Sequence, residues 1–369
     1  MNGQWMGDFN GTSNGTLLLN VDDRGTHFDG VGYFTPSLND VPRTGVGFKT
    51  IDKSRDFAFK TKNMWLMDPE SGNCTTWDQI KHLYPPGLSL ASEAEVSGSW
   101  DETALKVSWK TDNGVTGTSV LPRSRASLPS DLRASEMRWN HFKAFVDSFK
   151  VKRHLFRGQS DRWRLRSAFH RSGRANLLRF MTEDIVTLHR VLSVRTRHVF
   201  NRANPDENGA FYNLVQHHGY PTPLLDWTYS PYVAAFFAYR NVPKSEAGAA
   251  TATRRVRIFV LDESWRTDFN QVTFLDRNFP HFSVLEFLAI ENERMVPQQS
   301  VSALTTIDDI ESYISEKGRA KSKTYLTAID LPASERAEVF RDLDYMGVTA
   351  GSLFPGLDGA CEELRERNF

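Results

Sequence analysis

The sequence predicts an α+β protein, with a small all-β sandwich or barrel followed by a mixed α/β domain. Residues 1–122 contain short alternating runs separated by Gly, Asn and Asp turn signals. Residues 123–134 are polar and include Pro129, as expected of a linker. Apolar residues spaced three or four apart begin after it. We therefore predict a β-rich accessory domain at 1–122, a linker at 123–134 and an α/β domain at 135–369.

Two hairpins support the all-β prediction. Residues 16–21 and 26–34 alternate around the turn signal at Asp22, Asp23 and Gly25. Residues 104–110 and 115–121 do so around Asn113 and Gly114. Several short strands joined by such turns are typical of an antiparallel sandwich or barrel.

The second region mixes helix and strand patterns. Helical spacing predicts helices over residues 139–149 and 176–195, and Ser334 is a candidate N-cap for a helix ending near Gly347. Residues 256–261 and 325–329 are short apolar runs that predict buried strands. The apolar face of the 176–195 helix consists of Ile185, Leu188, Val191 and Leu192.

Composition narrows the class of protein. The chain is 40% hydrophobic and 24% charged, which is ordinary for a globular protein. Lys plus Arg and Asp plus Glu both number 45, so net charge favours neither a nucleic-acid nor a membrane partner. Two cysteines, no signal-peptide pattern and no apolar run of about 18 residues lead us to expect a cytoplasmic protein without a membrane partner.

A first polar block, Phe156-Arg157-Gly158-Gln159, follows a run that can end a strand. A guanidinium at a strand end can hold a phosphate or carboxylate, and the glycine can let a ligand approach the backbone. The alternative is a surface arginine in an ion pair.

A second block contains His217 and His218 and continues through Asp226, Thr228 and Ser230. Without a third ligand pattern we predict no metal site. His217 can orient a ribose hydroxyl or be a hydrogen-bonded core histidine. Ser230 precedes Pro231, so helix capping is as good an explanation as ligand contact.

A third block surrounds Arg294, Gln298 and Gln299. Its amides and guanidinium can bind a ligand, and a solvated loop explains them equally well.

These blocks, in this order and together with the glycine-rich residues 347–359, resemble the FRG domain family, named for a Phe/Tyr-Arg-Gly motif. The resemblance covers residues 135–366. It departs from the family at Pro223 and Ser300, where a basic residue and a glycine are usual.

The FRG pattern in turn resembles, more distantly, ADP-ribosyltransferases, which hold NAD with motifs on three strands. This resemblance implies NAD as a substrate. It implies Arg157, Gln299 and Ser230 as catalytic residues. It implies an NAD-binding set of Arg157, Gly158, Gln159, His217, Asp226, Thr228, Arg294 and Gln298. Gln299 stands where the transferases usually have glutamate, so Glu291 or Glu293 is an alternative source of the charge.

The function that follows is an NAD-dependent ADP-ribosyltransferase or NAD glycohydrolase, acting as an intracellular effector of the toxin or phage-defence type. Its partners would be a protein or nucleic-acid acceptor and an antitoxin or regulator that contacts residues 1–122. A non-catalytic nucleotide- or partner-binding module is the alternative. Nucleic-acid binding is a third, based on the basic stretch Arg153, Arg157, Arg162, Arg164, Arg166, Arg171 and Arg174.

These interpretations require Arg157, His217, Asp226, Thr228 and Gln299 to line one cleft. In the alternative, Asp226 forms a buried ion pair with Arg157 or Arg294.

Overall fold

Residues 3–122 form one β-sheet and residues 134–332 contribute the strands of a second, on which helices pack. The computed structural model describes residues 1–38, 41–246, 253–273, 275 and 279–369. Over these residues the fold is α+β, as predicted. In the described ranges, every helix is too short or too polar to cross a membrane.

The first sheet has ten antiparallel strands in the described residues. They are β1 (Gly3–Gly11), β2 (Gly15–Asp23), β3 (Phe28–Pro36), β4 (Arg43–Lys49), β5 (Asp56–Thr61), β6 (Met64–Met67), β7 (Cys74–Thr75), β8 (Ala94–Trp100), β9 (Ala104–Thr111) and β10 (Thr116–Pro122). Their spatial order is β5-β8-β9-β10-β1-β2-β3-β4-β6-β7. Both predicted hairpins are present, as β2–β3 and β9–β10.

Strand β5, at one edge of this sheet, lies beside β4, near the other edge, so the sheet curls into a barrel. The hydroxyl of Thr61, the last residue of β5, donates to the carbonyl of Gly47 in β4 at 2.7 Å. The rings of Phe48 in β4 and Phe59 in β5 stack 5.2 Å apart. We call residues 1–122 the barrel. Within its described residues, a short helix, α1 (Trp77–Ile80), followed by a 3₁₀ turn, departs from an all-β region.

The side chains of β2 alternate between the inside of the barrel and the face that contacts the second domain. Leu17, Leu19 and Val21 point into the barrel core. Leu18 lies on the opposite face and is only 3% exposed, because it belongs to a cluster that packs against Leu178 of the second domain. Both faces of β2 are therefore buried.

The second sheet has seven strands in the described residues, in the order β11-β17-β14-β12-β13-β16-β15. They are β11 (Ala134–Glu136), β12 (His154–Gln159), β13 (Leu224–Thr228), β14 (Arg255–Asp262), β15 (Phe282–Leu285), β16 (Ser300–Thr305) and β17 (Leu326–Pro332). The helices are α2 (Trp139–Asp147), α3 (Ala168–Arg171), α4 (Leu177–Arg179), α5 (Ile185–Leu192), α6 (Pro205–His217), α7 (Pro231–Tyr239), α8 (Trp265–Asp268), α9 (Ile310–Ala320), α10 (Arg336–Tyr345), α11 (Ala350–Leu353) and α12 (Leu357–Asn368).

Two local predictions need correction. The helix predicted over 176–195 is divided, because a π-helical segment, Phe180–Asp184, separates α4 from α5. Ser334 is not a helix cap, since it lies within a 3₁₀ turn. The following residue, Glu335, instead accepts the backbone amide of Trp139 at 2.7 Å and so ties α10 to α2.

Hydrogen bonds attach the predicted linker, residues 123–134, to both domains. Arg123 donates its amide to the carbonyl of Thr103 at 2.8 Å. Ser130 donates its amide to the carbonyl of Arg162 at 2.7 Å and its hydroxyl to Glu311 at 2.7 Å. A proteolytic cut between residues 121 and 133 therefore requires these bonds to open first.

Two buried histidines lead to a prediction about pH. Burial lowers the pKa of His170 to about 4 and that of His281 to about 3, against about 6.5 in an unfolded chain. Between those values the unfolded state binds more protons, so stability falls as the pH drops below about 6.5. We expect each histidine to contribute a loss of roughly 1.5–2 kcal/mol between pH 7 and pH 5.

Chemical denaturation of His281→Gln at pH 7 and pH 5 tests this, because the variant lacks the titrating ring. The difference in unfolding free energy between the two pH values should shrink in this variant. His82→Gln, at an exposed position, is the matched control and should behave as wild type. An unchanged pH dependence in His281→Gln would contradict the prediction.

Candidate functional site

The main cavity lies where the second sheet splits. Strands β12 and β13 pair at a single position, Phe156 with Thr228. By contrast, β12 pairs with β14 at six positions and β13 with β16 at five. The cavity at this split has a volume of about 630 Å³. The predicted site residues that line it are Arg157, Gly158, Gln159, His217, Asp226, Thr228, Arg294 and Gln298.

Arg157 lies in β12 with its guanidinium at the cavity. Its Nη1 donates to the backbone carbonyl of Asp226 at 2.6 Å, and its buried Nε has no hydrogen-bond partner in the described residues. Burial lowers the pKa of Arg157 to about 10; the charge of Asp226 opposes this shift and that of Arg171 adds to it. The group is thus a desolvated cation at neutral pH. A bound anion would offset the free-energy cost of removing this charge from water.

Two more arginines at the cavity also lack a carboxylate partner within the described part of the chain. Arg171, the last residue of α3, donates Nη1 to the carbonyl of Arg166 at 2.6 Å. Burial lowers its pKa, with Asp226 opposing and Arg166 adding to the shift. Arg294 lies over the ring of Phe354 at 5.5 Å. Among the described residues neither Arg157 nor Arg294 forms an ion pair with Asp226, so that alternative is wrong.

Asp226 is the one acid among the described residues that line the cavity. Its Oδ1 accepts a hydrogen bond from Nε2 of Gln216 at 2.6 Å. Gln216 in turn accepts from the hydroxyl of Thr222. The two bonds fix the carboxylate in position on β13, facing an excess of arginine charge.

The other two acids considered lie elsewhere. Glu291 and Glu293 are exposed and do not line the cavity. Glu291 accepts the backbone amide of His198 at 2.5 Å. Neither is placed to supply the charge that a glutamine at position 299 lacks.

Thr228 and Ser230 have mainly structural contacts. The Thr228 hydroxyl donates to the carbonyl of Gln298 at 2.7 Å and accepts the Ser230 amide at 3.0 Å. The Ser230 side chain accepts the amide of Val233 at 3.2 Å, which caps α7. Ser230 does not line the cavity. The structure therefore has the cap, and Ser230, predicted as catalytic, is outside the group of residues that line the cavity.

The expectation that Gln299 lines the cleft is also wrong. Gln299 is exposed, and its φ of +46° reverses the chain just before β16. That turn leaves Gln298 at the cavity instead, 8% exposed, with Nε2 donating to the carbonyl of Leu353 at 2.9 Å. The amide of Tyr229 donates to the Gln299 carbonyl at 3.1 Å, so β13 holds the turn in place.

His217 ends α6 and faces Asn292. Its Nδ1 lies 2.7 Å from Oδ1 of Asn292, so in the neutral ring Nδ1 donates and Nε2 remains an acceptor. Asn292 is 4% exposed and was not predicted as a site residue. The signal in the sequence that could have identified Asn292 was its position two residues before Arg294.

Gly158 is constrained by packing. A Cβ on Gly158 would lie 1.8 Å from the carbonyl oxygen of Ala234 and 2.7 Å from the amide nitrogen of Ala238. The glycine is needed because α7 packs directly on β12. This replaces the explanation that it lets a ligand approach.

Other lining residues were missed by the sequence reasoning. Trp163, Phe237 and Phe354 supply aromatic walls, and Asn241 adds an amide. Trp163, Phe237 and Asn241 lie outside the polar blocks, and Phe354 lies in the glycine-rich residues 347–359, from which no site residue was predicted. In the described residues, no three His, Cys, Asp or Glu side chains come together as a metal site would require.

A second compartment of about 320 Å³ adjoins the cavity. Arg157, Arg171 and Asp226 line both spaces, and Gln216, Gly219 and Tyr220 line the second. The three shared residues therefore lie at the boundary between the two compartments.

The basic stretch is largely neutralised. Distant acids pair with Arg162 (Asp330), Arg164 (Asp131 and Asp309), Arg166 (Asp308) and Arg174 (Asp22 and Asp184). Arg153 lies 4.0 Å from Glu263. Arg157 and Arg171 face the cavity, so the stretch does not form a continuous basic surface for nucleic acid.

The family model of the FRG domain matches residues 152–247. This segment, about a quarter of the chain, is similar to FRG domains. It contains Arg157, His217 and Asp226, whereas Arg294 and Gln298 lie beyond the matched residues, as does the barrel. A comparison with curated proteins gave no match. The family description names a domain and no activity, so the chemistry of the FRG domain has to be argued from its cavity.

Proposed function

We propose that the cavity of the FRG domain binds NAD and that the domain cleaves the bond between nicotinamide and ribose. Support comes first from charge. Three unpaired arginines face one carboxylate, and the Nε of Arg157 is buried without a partner. A diphosphate would accept hydrogen bonds from these groups and compensate their charge.

The walls suit a dinucleotide as well. A volume of about 630 Å³ falls in the range of small-molecule sites. Trp163, Phe237 and Phe354 offer aromatic faces for a base or a nicotinamide ring. Nε2 of His217 is an acceptor for a ribose hydroxyl.

The observation that carries the proposal is that Arg157, Asp226 and Gln298 converge on one cavity from β12, from β13 and from the turn before β16. This is the order of motifs that the transferase resemblance implies. Gln298 takes the third position instead of Gln299.

Asp226 is the residue that would act on the reacting sugar. As the bond from nicotinamide to C1′ lengthens, its electron pair goes to the nicotinamide nitrogen and positive charge develops on the ribose. A carboxylate stabilises that charge, as it does in glycoside hydrolysis. Asp226 would then take the proton of the attacking water or acceptor hydroxyl, leaving free ADP-ribose or an ADP-ribosylated acceptor.

A second candidate function, a non-catalytic nucleotide-binding module, also has a specific observation in its favour. Gln298 is an amide, which neither carries charge nor exchanges a proton, and the Thr228 hydroxyl is already bonded to the backbone. Such a module would bind NAD or ADP-ribose and leave it intact.

One experiment separates the two. The purified full-length protein is incubated with NAD, alone and with cell lysate, and free nicotinamide and labelled ADP-ribose are measured. Release of nicotinamide supports the enzyme, and label on protein or nucleic acid identifies a transferase. NAD binding without release, with lysate present, would leave the binding module.

Arg157→Ala is predicted to weaken NAD binding by at least about tenfold, because it removes a charged hydrogen-bond donor worth about 1.5–3 kcal/mol. Calorimetric titration measures this. Arg153→Ala is the matched control, since its side chain is 64% exposed and lies outside the cavity. Equal affinities for Arg157→Ala and wild type would contradict the assignment.

A further inference from the structure

The barrel contacts the FRG domain at the segment that carries Arg171. Asp22, in β2, is 2% exposed and accepts the backbone amides of Ala175 at 2.7 Å and Asn176 at 3.0 Å. The same carboxylate accepts from Nε of Arg174 at 3.0 Å and from Nη1 of Arg179 at 3.4 Å. One buried side chain of the barrel thus takes four donors from residues 174–179.

Asn2 supports the same segment closer to Arg171. Its Nδ2 donates to the carbonyl of Gly173 at 2.8 Å. Gly173 has a φ of +83° and lies two residues after Arg171. The chain thus leaves α3 through a left-handed turn at Gly173, and Asn2 of the barrel binds the carbonyl of that turn.

The other side of α3 is also attached to the barrel. Arg166, whose carbonyl accepts from Arg171, pairs with Asp308. The amide of Asp308 donates to Oε1 of Gln4 in β1 at 2.9 Å, and Nε2 of Gln4 donates to the carbonyl of Thr306 at 2.8 Å. Barrel contacts therefore lie on both sides of Arg171.

We infer that the barrel is a positioning element for the anion site: Asp22, with Asn2, fixes residues 172–179 so that Arg171 faces the boundary between the two compartments. The inference rests on the proposed function in that Arg171 is taken to contact the ligand's phosphates. α3 spans four residues, too short to be a stable helix without tertiary contacts. Contacts outside the helix therefore hold its last residue in place, and those of Asp22 and Asn2 come from the barrel.

A double-mutant cycle tests the link. ADP-ribose binding is measured by calorimetry on the full-length chain for wild type, Asp22→Asn, Arg171→Ala and the double variant. We expect Arg171→Ala to weaken binding by at least about tenfold and Asp22→Asn to weaken it severalfold. In the Arg171→Ala background, Asp22→Asn should have no further effect, because it acts through that side chain.

Asp23→Asn is the matched control, because Asp23 ends the same strand and its contacts are within residues 1–122, with Lys53 at 2.6 Å and the amide of Gly25 at 2.8 Å. It should bind ADP-ribose as wild type does. Asn2→Ala leaves Asp22 intact and should give a smaller loss in the same direction. Additive effects of Asp22→Asn and Arg171→Ala, or wild-type affinity in Asp22→Asn, would overturn the inference.

Hydrogen exchange gives a readout that needs no ligand. In Asp22→Asn the amides of Ala175 and Asn176 should exchange faster, while those of β14 keep wild-type rates. Unchanged exchange over residues 168–176 would show that no clamp exists. If wild type binds neither NAD nor ADP-ribose, the proposed function fails, and the exchange measurement still decides whether the barrel orders this segment.

Discussion

Gly158→Ala is expected to lower the free energy of unfolding by at least about 3 kcal/mol. The added Cβ would lie 1.8 Å from the carbonyl oxygen of Ala234, in the backbone of α7. A backbone atom cannot rotate away as a side chain can, so either α7 or β12 has to move. Ala234, Ala235 and Ala238 of α7 are fully buried, which leaves that helix little room.

Gly7→Ala is the matched control, since Gly7 also lies in a strand. Its added Cβ would lie 3.2 Å from the Cδ2 atom of Leu121, a side-chain end that can shift. We expect a change below about 1 kcal/mol there. Urea denaturation of both variants measures the difference. Equal stabilities of the two would mean that α7 can withdraw from β12 at little cost.

Gly158 also shows how much of the site could be predicted from the sequence. The pattern Phe156-Arg157-Gly158 predicted a cation at a strand end, and the structure has Arg157 within β12, two residues before the strand ends at Gln159. The reason for the glycine was a contact with Ala234, 76 positions along the chain, and no local pattern contains such a contact. Secondary structure was predictable for the hairpins, because strand-forming runs flank turn signals of Gly, Asn and Asp.

The third polar block, which surrounds Arg294, Gln298 and Gln299, shows a different limit of prediction from sequence. Gln298 and Gln299 are chemically identical neighbours, so residue type could not decide between them. The left-handed φ of Gln299 and the bond from Tyr229 to its carbonyl decide which amide faces the cavity. Both depend on how β13 and β16 pair.

The basic stretch failed as a predictor because its partners are remote in sequence. Asp308, Asp309 and Asp330 neutralise Arg166, Arg164 and Arg162 across more than 140 positions. A run of like charges is thus informative about a surface only when the opposing acids are known. The structure was needed to show that Arg157 and Arg171, unlike these three, have no carboxylate partner among the described residues.

Asp226→Asn is expected to reduce the turnover of NAD cleavage by about 10²–10³-fold, the range for loss of one electrostatic contact to a transition state. The substitution keeps the shape of the side chain and an oxygen that can accept from Gln216, so the fold of β13 should persist. It removes the one negative charge among the described residues that line the cavity. NAD affinity should therefore be retained or rise, since the arginines then face the diphosphate without competition.

The contrast between affinity and turnover is what makes this variant decisive, because a damaged binding site would lose both. Gln299→Ala is the control, an exposed position outside the cavity, and should leave turnover and affinity as in wild type. Nicotinamide release gives turnover, and titration with NAD gives affinity. If Asp226→Asn releases nicotinamide at the wild-type rate, Asp226 is not the group that stabilises the ribosyl cation. In that case, any cleavage by the FRG domain would have to use a neutral site, in which Gln298 and His217 supply hydrogen bonds and no side chain supplies a negative charge.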